Sequence, residues 1–133
     1  MQRPIPLEGA AHVALRDLLH AARAHENAST GAHRRPAFRM TRALLHAAHA
    51  AGFSFHDMAR ALDVSEWSVR ARAHASEPIE VGRFLQLTGR YRAALSDVIR
   101  HERPEADGIL NSGELLAWYL DVVARETTGD LPS

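Results

Sequence analysis

The sequence predicts an all-α fold of about seven helices, with a small β-hairpin wing near residues 103–110 as the one departure. Two observations carry this. Apolar residues recur every three or four positions in successive segments, the spacing that lines one side of a helix. Ser, Asn, Gly and Pro fall between those segments, where helix caps and turns require them.

The first helix spans Leu7 to Asn27, with Leu15, Leu18, Leu19 and Ala22 on one face and Arg16, Arg23 and Glu26 largely elsewhere. It is poor in large side chains, so it is expected to pack on the following helices or on a second copy of itself. Ser29-Thr30-Gly31 breaks the pattern and Pro36 marks a connection. A second helix, about Arg39 to Ala51, places Met40, Leu44, Leu45 and Ala48 together and ends at Gly52, a residue free to take positive φ. Ser54 caps a third helix ending at Leu62, and Ser65 a fourth running to about His74. Asp63 and Val64 alone separate them, which leaves room only for a tight turn between crossed helices.

Ser76 to Pro78 is the expected domain boundary. A short helix from Val81 to Leu87, a break at Thr88-Gly89 and a longer helix from Tyr91 to His101 follow. Residues 103–110 carry Pro and Asp-Gly turn signals, so they read as a loop or a hairpin. Asn111 or Ser112 caps a last helix from Gly113 to about Arg125, and Glu114 stands at capping-box spacing from Asn111. The expected units are an N-terminal helix (1–32), a second unit (33–76), a third (77–128) and a tail (129–133).

The formal net charge of the 133 residues is zero, but it is unevenly spread. Residues 33–74 hold seven Arg against three acids, a balance of +4; residues 75–133 hold six Arg against ten acids, a balance of −4. All 16 basic residues are Arg, and 24 residues are Ala. GC-rich codon usage accounts for that bias, while Arg's planar fork also suits phosphate and guanine; composition alone does not separate the two. There is no Cys, which excludes disulfides, thiolate catalysis and cysteine-ligated zinc. No apolar run reaches the ~20 residues of a membrane span, and MQRPIPLEG lacks the build of a signal peptide. A cytoplasmic protein with no membrane association is the expectation.

Phe53 to Ala73, FSFHDMARALDVSEWSVRARA, places small or apolar residues where two crossed helices would touch: Met58, Ala59, Leu62, Val64 and Val69. This stretch resembles the helix-turn-helix of bacterial regulators, site-specific recombinases and sigma factors. It departs from their pattern at Asp63, where glycine is usual, and at Ala71, where many carry a basic residue. The resemblance implies double-stranded DNA as partner and Ser65 to Arg72 as the recognition helix. Ser65, Glu66, Trp67, Ser68, Arg70 and Arg72 would then face DNA, with Arg39 and Arg42, behind Arg34 and Arg35, on the phosphate backbone. Trp67 is divided between a DNA contact and a fold back onto the core.

The segment Val81 to Leu120 resembles, more faintly, the winged-helix modules of excisionases and MerR-type regulators. Leu85, Leu87, Leu95, Val98 and Ile99 would form its inner faces, closed by Leu110, Leu115 and Trp118. Arg90, Tyr91 and Arg92 would start its reading helix. Its acidic balance, with Glu105 and Asp107 in the wing, argues for the other reading, a module for dimerisation or for a protein partner held through Trp118 and Tyr119 of the C-terminal helix. His46, His49 and His56 have a spacing compatible with zinc but lack supporting ligands, so neither metal nor cofactor is expected. No nucleophile–base arrangement, phosphate loop or supported carboxylate pair points to an enzyme. The expected role is sequence-specific DNA binding by a small transcriptional regulator or mobile-element control protein. The competing role is an anti-sigma-like protein-interaction adaptor on the same fold.

Overall fold

Leu15, Leu18, Leu19 and Ala22 share one helical face, and all four are fully buried in α1 (Gly9–Ala28). The computed structural model that shows this describes residues 9–73, 77–104 and 108–128. Leu7, His74, the boundary at Ser76, the wing acids Glu105 and Asp107 and the tail 129–133 lie outside the described residues. The fold is all-α apart from one very small sheet: α2 is Arg34–Ala50, α3 Phe55–Leu62, α4 Glu66–Arg72, β1 Pro78–Glu80, α5 Val81–Leu85, α6 Arg92–Glu102, β2 Ile109–Asn111 and α7 Ser112–Thr128.

The apolar face of α1 is covered within the chain, by α2, α7 and α3. Leu115, Leu116, Tyr119, Val122 and Val123 form the inner stripe of α7, and Met40, Leu44, Leu45 and Ala48 that of α2; all are buried. The Tyr119 hydroxyl donates to the carbonyl of Ala14, 3.0 Å away and 105 positions earlier. One hydrophobic cluster therefore runs from α1 to α7, with Phe84, Leu95 and Ile99 joining it from α5 and α6.

α2 begins five residues earlier than the spacing of its apolar residues indicates. A 3-10 turn, Gly31–His33, feeds directly into Arg34, so Pro36 lies in the first turn of the helix and not in a connection. First-turn N–H groups have no intrahelical acceptor, so proline removes no hydrogen bond there. At the other end Gly52 takes φ 109°. Phe53 N–H then returns to Ala48 O and Gly52 N–H to His49 O, each at 3.0 Å, the paired bonds of a Schellman cap.

The small sheet joins distant segments. β1 pairs antiparallel with β2 in the register Pro78↔Asn111, Ile79↔Leu110, Glu80↔Ile109. The strand near the expected wing thus finds its partner upstream of α5, and the sheet ties the two ends of the α5–α6 pair together. Gly108 O accepts from Val81 N–H at 2.7 Å and Glu77 O from Ser112 N–H at 3.2 Å, which extends the contact at both ends. Asn111 caps α7, its Oδ1 accepting from Gly113 N–H at 2.9 Å. Glu114 does not close a capping box; its carboxylate is taken by Arg103.

Among the described residues Asp63 is the one non-glycine with positive φ (55°). An L side chain there is strained, less so for Asp than for most. Replacing Asp63 by Gly is expected to raise the unfolding free energy by up to about 1 kcal/mol, and Asp63→Val to lower it by about 1 kcal/mol or more, in urea denaturation.

Candidate nucleic-acid interface

The α3–α4 unit is built from two short helices, each capped by its own serine. Ser54 Oγ accepts from Asp57 N–H at 3.0 Å and Ser65 Oγ from Ser68 N–H at 3.1 Å, which removes one orphan donor from each N-terminus. Between them Asp63 takes the left-handed conformation, and Val64 N–H returns to Ala59 O at 3.0 Å. This repeats, with Asp, the cap that Gly52 makes on α2. The turn crosses the helices at Ala59. Met58, Ala59, Leu62 and Val69 are buried in the crossing and Val64 is half-buried, so all five expected contact positions face inward.

The outer side of α4 is left to solvent. Trp67 is 77% exposed, so it projects outward and does not fold back onto the core. Arg70 is exposed too, and its guanidinium lies over the Phe55 ring, 4.6 Å from the centroid. The opposite partner of Phe55 is His49, stacked at 3.8 Å. This column of His49, Phe55 and Arg70 orients the guanidinium without burying it. Glu66 sits 4.0 Å from Arg70 and 3.7 Å from His56. Ser65 is exposed at the turn, and Ser68, half-buried, receives the Ser65 hydroxyl hydrogen on its own Oγ at 3.0 Å.

Of the residues expected at a DNA contact, Arg72 and Tyr91 pack against the protein, and Arg90 is ion-paired while staying exposed. Arg72 reaches back to α1, where its Nη2 donates to Glu26 Oε1 at 3.2 Å, and its guanidinium packs over Phe38. Glu26 is buried there, on the continuation of the Leu15–Leu19–Ala22 stripe, and a buried carboxylate requires a cation. Arg90 pairs with Glu126 at 3.2 Å and donates to the Tyr91 hydroxyl at 3.0 Å. Tyr91 in turn packs edge-on against buried Tyr119, 5.7 Å between centroids. Packing on Tyr119 holds half-buried Tyr91 against α7, while Arg90 stays in solvent beside its counter-ion. Arg92 remains exposed. Tyr119 itself is committed to the core, and burial pushes its hydroxyl pKa upward. Trp118 is half-buried under Arg103.

Ion pairing sorts the arginines between the two halves. Among the described residues of the C-terminal segment, Arg83, Arg90, Arg100, Arg103 and Arg125 each pair with a carboxylate. Arg34, Arg35, Arg39, Arg42 and Arg60, on α2 and α3, form no ion pair with a described residue. Arg39 is exposed, and Arg42 lies 5.7 Å from the Phe38 centroid, on the same ring as Arg72. The uncompensated positive charge therefore gathers around α4 and the helix behind it.

His49 is engaged with Phe55, and among the described residues no group of three or more His, Cys, Asp or Glu is placed to hold a metal ion. No described helix is long and apolar enough to cross a membrane. No protein-family model, curated protein or solved structure matches the chain.

The two arginines of α4 are expected to behave differently. Arg72→Ala strands the buried Glu26 carboxylate and should cost about 2–3 kcal/mol of stability, at the low end for a buried pair because Arg72 itself is partly hydrated. Arg70→Ala should change stability by less than about 0.5 kcal/mol. Urea unfolding of the two variants checks this.

Proposed function

We propose that the chain binds duplex DNA sequence-specifically, with α4 as the element that enters the major groove. The single observation that carries this reading is the α3–turn–α4 unit. Its inner residues are packed and its helices capped, while Trp67 and Arg70 are left in solvent near arginines that pair with no described carboxylate. In this reading Arg70 donates both arms of its fork to a guanine edge, and Trp67 lies against sugar or a thymine methyl. Arg34, Arg35, Arg39 and Arg42 meet phosphates and set the register. Arg72 contributes by fixing the C-terminal end of α4 to α1. The arginines of residues 77–128, all but Arg92 paired with a carboxylate, suit a supporting module better than a second reading head. A small transcriptional regulator or mobile-element control protein is the corresponding class.

The exposure of Trp67 also favours a second reading, since exposed aromatic side chains anchor protein interfaces. An adaptor that grips a protein through α4 would place Trp67 at the centre of that contact.

Salt separates the two. Binding to a duplex selected from random sequences, followed by fluorescence anisotropy, should weaken with a log–log slope of about −0.9 per phosphate neutralised, or about −4 for four arginine contacts. Arg70→Ala should weaken binding to the selected site by about tenfold or more while leaving non-specific binding largely intact. A slope near zero, or an Arg70→Ala variant with unchanged affinity for the selected site, contradicts the assignment of α4.

A further inference from the structure

A cleft of about 600 Å³ opens between the C-terminal end of α1, the 3-10 turn Gly31–His33 and α5, within the range of small-ligand sites. Its polar wall holds Arg83, His25, His33, Thr30, Gln86 and Glu80. Arg83 crosses it from α5. Its side chain is only 13% exposed; Nη1 lies 3.1 Å from His25 Nε2, Nη2 3.6 Å from a Glu80 oxygen, and Nε is buried with no partner.

These groups form an unbalanced set. A guanidinium is a permanent donor, so His25 Nε2 must accept from it and the ring must stay neutral. Burial, the Arg83 charge and His33 all push the His25 pKa down. The Ser29 hydroxyl spends its hydrogen on the His25 carbonyl at 2.7 Å. The remaining wall is rich in donors: Arg83, His33, the Thr30 hydroxyl and the Gln86 amide. The one carboxylate on the wall, Glu80, lies 3.6 Å from Arg83 and is itself half in solvent, so it leaves most of these donors without an acceptor. An oxyanion would meet the excess of donors. It would accept from Arg83 and His33 and let His25 turn from acceptor into donor.

We infer that this cleft binds a phosphate-type oxyanion, seated between Arg83, His25 and His33 at the junction of α1 and α5. The inference does not rest on DNA binding by α4. The oxyanion can belong to a free phosphomonoester or to a nucleic-acid backbone, since Arg83 also lines the adjoining groove with Arg35 and Arg39.

The test is an NMR titration of the histidine side chains of the full chain with inorganic phosphate at constant ionic strength. His25 and His33 should shift saturably while the other seven of the nine histidines do not. Phosphate should raise the apparent pKa of His25. His33→Gln, at an exposed position, should weaken binding about tenfold without disturbing the fold. Arg83→Gln should abolish saturation in a chain still folded by circular dichroism. A parallel titration with a short duplex identifies the source: shifts at His25 from phosphate alone indicate a free anion, and shifts from duplex at far lower concentration indicate a backbone. Uniform, non-saturating shifts of all histidines, or a His25 that stays put with both probes, overturn the inference.

Discussion

The apolar face of α1 is the constraint on which the rest of the arrangement depends. Leu15, Leu18, Leu19 and Ala22 leave water only if α2, α7 and α3 all close on them. The helix that this chain reaches last, α7, is thereby fixed against the one it forms first, through Val122, Val123 and the Tyr119 hydroxyl. α3 is seated on the same post, and its turn into α4 then decides where α4 points. Glu26 adds a polar tie from α1 to the end of α4 through Arg72. Presentation of the α4 surface is thus a property of the whole cluster and not of twenty residues alone.

Charge follows the same division of labour. The segment that completes the core neutralises its arginines locally, largely within one helical turn or with a neighbouring helix, as in Arg100 with Asp97 and Arg103 with Glu114. Exposed pairs of this kind add little stability, but among the described residues of that half they leave Arg92 as the arginine without a carboxylate partner. In the segment carrying α2, α3 and α4, five of the seven arginines form no ion pair with a described residue. The zero net charge of the chain is the sum of an acidic C-terminal segment and a basic one at residues 33–74, and only the latter would attract a polyanion.

The helices and their caps were legible because each depends on residues a few positions apart. Ser54, Ser65 and Gly52 act where their spacing indicates, and Asp63 takes the left-handed turn expected of it. What was not legible depends on long-range partners. β1 is three residues long with one buried side chain, Ile79, too short for a period of two to stand out. Nothing local announces that it pairs with residues 109–111. Arg90 and Tyr91 sit at the start of a helix where contact residues are expected, and only the position of Glu126 and Tyr119 pairs the first and packs the second. Glu26 did carry a signal, since it continues the 15–18–19–22 spacing onto the buried face; a carboxylate there implies a distant cation, here Arg72. The start of α2 was hidden because proline reads as a break in a sequence but is harmless in a first turn.

The role of α4 is tested most directly by mapping backbone amide shifts as a selected duplex is added to the labelled chain. The largest changes are expected at Ser65 to Ala71, with smaller ones along the first turns of α2 and at the start of α3, and little on α7. Changes gathered on α6 and the β1–β2 sheet, with α4 unmoved, would contradict it.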